Sequence, residues 1–370
     1  MKPRIAVITM YYKSTNYGGV LQSYAMIKAL EKIGYSAVQV SYERGVNNKN
    51  RSVIYSLLRK GYHFLRKMKL ILFNLPIQGS LNAKYEKFSS FRERIPHTDV
   101  VNDNNIDDLN QVFDIFITGS DQVWHPNSFE TAYSLNFVAM GKKRIAYSAS
   151  IAHPNIPLEK QETYKKELQM YYSISVREDL SVSIIENLGF HVVRTLDPTL
   201  LLTRKDWETI TPDSLLKSEY IFCYFFEDDT HRREIVEKVA KLTKLPIVVL
   251  SCLDNRNRIK NKWNVDKQIV DASPQELLAL IRDASYIFTD SYHVSVFSCL
   301  FEKDFFVFSR GDMGSRIETL LSDFGCRDRF IQEDEHDFFD VYTPRNLPVE
   351  SSIQYLREES IKFLKASIEN

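Results

Sequence analysis

The chain is predicted to fold as two α/β domains whose parallel sheets face a cleft. Three observations carry this. Short apolar runs alternate with helix-spaced stretches, as βαβ units require. The alternation falls into two series that meet near residues 196–219. At 370 residues the chain is long enough for two cores. The predicted division is 1–195 for an N-terminal domain and 196–345 for a C-terminal domain. Residues 346–370 form a last helix that packs back on the first domain.

The first series opens with the buried-strand run Ile5–Thr9 and the loop Tyr11–Gly19. Val20, Leu21, Tyr24, Ile27 and Leu30 then recur at helical spacing, and Gly34 stops the helix. Strands are predicted at Ala37–Tyr42, Phe113–Thr118, Arg144–Ser148 and Ile174–Arg177. A helix Asp179–Leu188 is closed by Gly189 and followed by strand His191–Leu196, and Asp197-Pro198-Thr199 breaks the pattern. The second series runs through strand Tyr220–Phe226, helix Arg232–Leu242 and strand Ile247–Leu250. Ser273 caps helix Leu277–Ala284, with Pro274 at its first position. Strand Tyr286–Thr289, a helix around His293 and strand Phe305–Ser309 follow, and the last helix covers about Ser352–Ala366.

Composition excludes several classes. Basic and acidic side chains balance at 48 each, which gives no argument for nucleic acid. No run of about 18 apolar residues exists, so no spanning helix is predicted. The basic start Met1–Arg4 precedes an apolar stretch too short for a secretory signal, and it reads as a first strand. Cys223, Cys252, Cys299 and Cys326 lack metal-like spacing and read as reduced thiols of a cytoplasmic protein.

Residues 51–73 depart from the plan. They hold Arg51, Arg59, Lys60, Arg66, Lys67 and Lys69 with no acid, interleaved with Ile54, Leu57, Leu58, Leu65 and Leu70. Two readings stay open. One is a helical insertion whose apolar face packs on its own domain. The other is a basic amphipathic helix lying on an anionic membrane surface.

Four places carry chemistry. The loop Lys13–Gly19 has paired glycines where backbone N–H groups approach a ligand, although the dinucleotide and P-loop patterns are absent. Thr118-Gly119-Ser120-Asp121-Gln122 ends a strand, where Ser120 or Asp121 serves either a ligand or a helix cap. Arg177 stands where a strand gives way to a helix, fit to hold an anion or to pair with Glu178 or Asp179. His293 opens a helix at a strand end and reads either as a buried hydrogen-bonded histidine or as an acid–base group. Arg310, Arg316, Arg327 and Arg329 follow the last predicted strand. Most are expected in solvent, with one reaching the cleft.

Taken in order, Thr9-Met10-Tyr11, Asn16–Ala25, Gly119–Trp124, Val176-Arg177-Glu178, Leu196–Leu201 and Thr289–His293 resemble the polysaccharide pyruvyl transferase family, from about residue 5 to about 330. The resemblance implies a glycosyltransferase-B-like arrangement and transfer of pyruvate from phosphoenolpyruvate onto a sugar, as a ketal. It assigns catalysis to His293, as general acid, and to Arg177, as donor contact. It places substrate binding at Asn16, Tyr17, Gly18, Gly19, Gln22, Ser120, Asp121, Gln122, Ser291 and Tyr292. It calls for no metal and no cofactor, with phosphoenolpyruvate as donor substrate. The implied acceptor is a hexose on a lipid-linked precursor of a surface polysaccharide, handled in the cytoplasm or peripherally on the inner membrane face.

Two departures stand out. Family members often carry an arginine where this chain has Ser291, for which Arg310 or Arg316 is the substitute by position. The aspartate of the usual N-terminal glycine motif is also missing. A helix N-terminus disfavours imidazolium, whereas a bound phosphate or the adjacent Asp290 favours it. The rival reading is a glycosyltransferase using a nucleotide sugar. Co-sedimentation with anionic but not neutral liposomes, weakened by salt, is the outcome the membrane reading of 51–73 requires.

Overall fold

The computed structural model describes residues 2–45, 78–129, 132–226, 230–251, 265–309, 314–331 and 349–370. The basic segment 51–73, Cys252 and Arg310 lie outside them.

The first sheet holds β1 (Ile5–Ile8), β2 (Ala37–Tyr42), β3 (His97–Val101), β4 (Ile115–Gly119), β5 (Lys143–Ala149), β6 (Ser173–Val176) and β7 (Val193–Arg194). Its order is β3-β2-β1-β4-β5-β6-β7, parallel throughout. The second holds β8 (Ile221–Tyr224), β9 (Ile247–Leu250), β10 (Lys267–Ile269), β11 (Tyr286–Thr289), β12 (Asp304–Phe308) and β13 (Phe330–Ile331). Its order is β10-β9-β8-β11-β12-β13, again parallel. Strands β1, β4, β8 and β9 are apolar and buried along their whole length, as strands covered on both faces must be. Strand order reverses between β1 and β4 and again between β8 and β11, and such points are where open parallel sheets bind ligands.

The described helices are α1 (Tyr17–Lys32), α2 (Gln78–Arg92), α3 (Leu158–Leu168), α4 (Asp179–Asn187), α5 (Thr230–Thr243), α6 (Pro274–Asp283), α7 (Tyr292–Leu300), α8 (Gly314–Asp323) and α9 (Val349–Glu369), besides short turns. Two of them are buried nearly all round. All nine residues of α7 are buried, as are twelve of the sixteen in α1, because each lies between the two sheets. One apolar cluster is therefore continuous from β1 and α1 through Leu196–Leu202 to α6, α7 and α9. The junction residues are fixed from several sides. Trp207 Nε1 donates to the Thr199 carbonyl at 3.0 Å, and Arg357 Nε donates to that of Leu200 at 2.7 Å. Helix α9 also meets the first sheet, through Ser367 to Ser173 at 2.8 Å and Ser360 to the Leu196 amide at 3.0 Å.

Several elements differ from expectation. Strand β7 covers only Val193–Arg194, because beyond Thr195 the chain turns to bond α9. Helices α2, α3 and α8 and strands β3, β10 and β13 have no counterpart in the sequence reading. Arg329 is buried rather than solvated, 3.4 Å from Asp304 and over the Phe306 ring.

Direct bonds cross between the domains. Arg194 forks onto Asp323 at 2.7 and 2.9 Å, Lys87 meets Glu276 at 2.9 Å, and Tyr17 Oη donates to the Ala272 carbonyl at 2.7 Å. The last of these is buried. Tyr17→Phe leaves that carbonyl unpaired, so urea unfolding is expected to show a loss of about 1–3 kcal/mol.

Candidate active site

Both strand-order reversals lead into helix N-termini, and the two termini meet. The loop after β1 enters α1, where Asn16 Oδ1 accepts from the Gly19 amide at 3.3 Å. The turn after β11 enters α7, where Ser291 is the N-cap and accepts from the Val294 amide at 3.5 Å. Gly18 on α1 lies directly against the His293 ring. A Cβ added there would sit 2.0 Å from Nδ1 and 2.5 Å from Cε1, so no other residue fits beside this imidazole as placed. Gly19 is constrained too, because a Cβ there would lie 2.8 Å from the Met10 carbonyl oxygen.

Asp197 faces the other side of His293. Its Oδ2 lies 3.7 Å from Nε2, an ion-pair rather than a hydrogen-bond distance. The same oxygen accepts from Ser120 Oγ and Arg177 Nη1, each at 2.8 Å. Oδ1 accepts from the Thr199 amide at 2.9 Å and its hydroxyl at 2.6 Å. Burial opposes ionisation of this wholly enclosed carboxyl. His293, Arg177 and Thr199 outweigh burial and hold it well below the usual carboxylate range.

Arg177 is buried with Asp197 and with Glu178, whose Oε2 is 3.6 Å from its Nε. Its guanidinium lies 4.3 Å from the Tyr292 ring centre, a cation–π contact. Burial works against its charge, but Tyr292, Asp197, Glu178 and Asp121 together raise its pKa above the ordinary value. Nε and Nη2 have no hydrogen-bond partner, and neither does Nε2 of His293. Nε2 faces Asp197, whereas buried orphan donors such as the two Arg177 nitrogens are rare and are expected where a ligand completes the pairing.

The other predicted positions are placed as follows. Ser120 and Asp121 cap no helix through their side chains; Ser120 serves Asp197 instead. Asp121 has φ 66° and ψ −172°, a conformation other residues than glycine rarely take, and it lies within electrostatic reach of Arg177. Gln122 is half-buried on the next turn. Gln22 is buried and donates to Thr9 Oγ1 at 2.9 Å, and Thr9 donates to the Ser120 carbonyl at 2.9 Å. Tyr17 joins the domains through Ala272. Arg316 is buried on α8 within electrostatic reach of His125, whose pKa is lowered by burial first and by His153, Lys160 and Arg316 after it. Asp290 is not the carboxylate facing His293. It accepts from Arg232 Nη1 and the Phe226 amide, both at 2.8 Å. Asp197 holds the place expected of it. Sequence reading took Asp197-Pro198 as a break; the usable signal was an acid at the junction of two ligand-binding series.

Solved structures share this architecture at low identity. A UDP-N-acetylglucosamine 2-epimerase of Rickettsia bellii matches 100% of this chain and 98% of its own, at 10% identity and a TM-score of 0.52. The UDP-GlcNAc 2-epimerase of Methanocaldococcus jannaschii matches 100% and 93%, at 11% identity and 0.51. A glycosyltransferase of Arabidopsis thaliana complexed with UDP-L-rhamnose matches 100% and 99%, at 10% identity and 0.51. These likenesses define the class by fold: a two-domain protein of the glycosyltransferase-B type. No curated protein matches by sequence. The polysaccharide pyruvyl transferase family model matches residues 16–312, and the chain belongs to that family.

Gly18→Ala must displace His293 or α1. Overpacking of this kind is expected to cost about 1–3 kcal/mol in urea unfolding, and a structure of the variant is expected to show the ring moved.

Proposed function

We propose that the protein transfers the pyruvyl group of phosphoenolpyruvate to two hydroxyls of a sugar, forming a cyclic ketal. The observation that supports this best is the meeting of two helix N-termini at His293, with an ionised Asp197 behind the ring. Helix N-termini favour anions, and the donor carries both a carboxylate and a phosphate. The unpaired Nε and Nη2 of Arg177 suit one of those groups.

The chemistry runs in four steps. Protonated His293 gives its proton to the donor methylene, which becomes a methyl group and leaves C2 electron-poor. A sugar hydroxyl attacks C2 and gives its proton to a base, for which Asp121, within electrostatic reach of Arg177 and near Gly19, is the candidate. Phosphate departs. The second hydroxyl then closes the ring and releases its proton to the now neutral His293. The acceptor in this reading is a hexose on a lipid-linked precursor of a capsule or other surface polysaccharide. The basic segment 51–73 suits such a membrane-borne acceptor.

Phosphate release from phosphoenolpyruvate with a panel of hexose acceptors, and the product mass, test the reading. His293→Gln is expected to lose at least about 10²-fold in turnover; near-native turnover removes His293 from the acid role. The rival donor class is tested by thermal stabilisation. Phosphoenolpyruvate at about 100 times its Kd stabilises by about 2.7 kcal/mol, and nucleotide sugars are expected to give no shift.

A further inference from the structure

We infer that Asp197 is a positioning residue that holds His293 with a ring proton on Nε2, so that Nδ1, on the Gly18 side, is the atom that passes a proton to the donor. This rests on the acid role given to His293 above.

The argument begins with rigidity. Asp197 is fully buried and takes bonds from Ser120, Arg177 and both donors of Thr199. It cannot turn to follow the imidazole, so the imidazole must turn to it. Of the other described acids near this terminus, Asp121 forms no ion pair with the ring, and Asp290 and Glu178 bond other groups. Asp290 belongs to Arg232 and the Phe226 amide, and Glu178 Oε1 accepts from Ser150 at 2.8 Å and Ser181 at 2.6 Å. The flanking Tyr292 ring meets the imidazole edge-on at 5.1 Å, and its burial raises the phenol far above its ordinary pKa. Asp197 is thus the one acid described within ion-pair distance of either ring nitrogen. In a neutral imidazole one nitrogen carries the proton, and an acceptor facing that nitrogen decides which. A carboxylate facing Nε2 selects Nε2–H.

Nδ1 then carries the lone pair in the neutral ring and the transferable proton in the charged one. It lies against Gly18, at the N-terminus of α1, where an anionic donor is favoured. Proton transfer leaves Asp197 ionised throughout. The Nδ1 proton goes to the methylene carbon, whose π pair forms the new C–H bond, and Nε2–H stays opposite Oδ2. This reverses the nitrogens of the familiar serine-protease arrangement but keeps its logic.

The test is ¹⁵N NMR of the histidine-labelled full chain, with His293 assigned by its loss in His293→Gln. In the neutral ring of the wild type, the expected signature is Nε2–H with Nδ1 unprotonated. The opposite tautomer in the wild type overturns the inference, and this reading needs no variant to fold. Asp197→Asn is expected to lose the tautomer preference and to lower kcat on the order of 10²- to 10⁴-fold, with the KM for phosphoenolpyruvate changed far less. An unchanged tautomer with unchanged kcat in that variant also overturns it. Phosphate release by His293→Gln judges the acid role separately, so the two failures are distinguishable.

Discussion

The site depends on one fully buried carboxylate. Asp197 is sealed at the junction of the two domains and stays ionised because four groups from three parts of the chain point at it. Removing a partner from such a buried pair leaves an uncompensated charge, which is far costlier than the pair is stabilising. The contribution is therefore mainly to geometry. Ser120 ties Asp197 to the end of β4, Arg177 to the end of β6, and Thr199 to the junction itself. The only remaining direction is toward His293, in the other domain.

That geometry explains why α1 and α7 can be so apolar and still carry polar chemistry. Their bodies are buried in one continuous cluster, and their first turns meet at Gly18 and His293. The contact is close. Gly18 leaves no gap between α1 and the imidazole, so any group that reaches Nδ1 must part the two termini. The bonds that resist parting, such as Arg194 to Asp323 and Tyr17 to Ala272, cross at other points of the interface.

The sequence made the central architecture legible and the margins less so. Strands β2, β9 and β11 were readable to the residue, β9 as a continuous apolar run and β2 and β11 as short runs rich in β-branched and aromatic residues. Strands β3 and β10 are exposed edges with mixed side chains, and no run marks them. Helix α3 buries only Tyr164 and Leu168 among eleven residues, too little for a helical period to show. At the site, single residues were visible but their partners were not. His293, Arg177 and Gly18 stood out by type and position. Asp197 did not, because its meaning comes from residues 77 positions before it and about a hundred after. For the same reason Asp290 looked like the partner of His293 when Arg232, from α5, had already claimed it.

Backbone strain follows the same division. In the second domain, Lys244 and Glu302 have positive φ just past the ends of α5 and α7, the ordinary left-handed exit from a helix. In the first domain, Lys13, Asp121, Ser148 and Ala152 have positive φ after or at the ends of β1, β4 and β5, where no helix ends. Such residues cost roughly 1–3 kcal/mol each where the conformation is a strained one. Ser148 also falls in the register shift between β5 and β6. A strand rim bent this often cannot be the cheapest way to end a sheet. It does aim Ser120 at Asp197 and brings Asp121 beside Arg177 and the α1 terminus. The strain lies in the domain that holds Ser120 and Asp121. The second domain contributes its histidine from an unstrained helix start, where an ordinary cap already sets the direction.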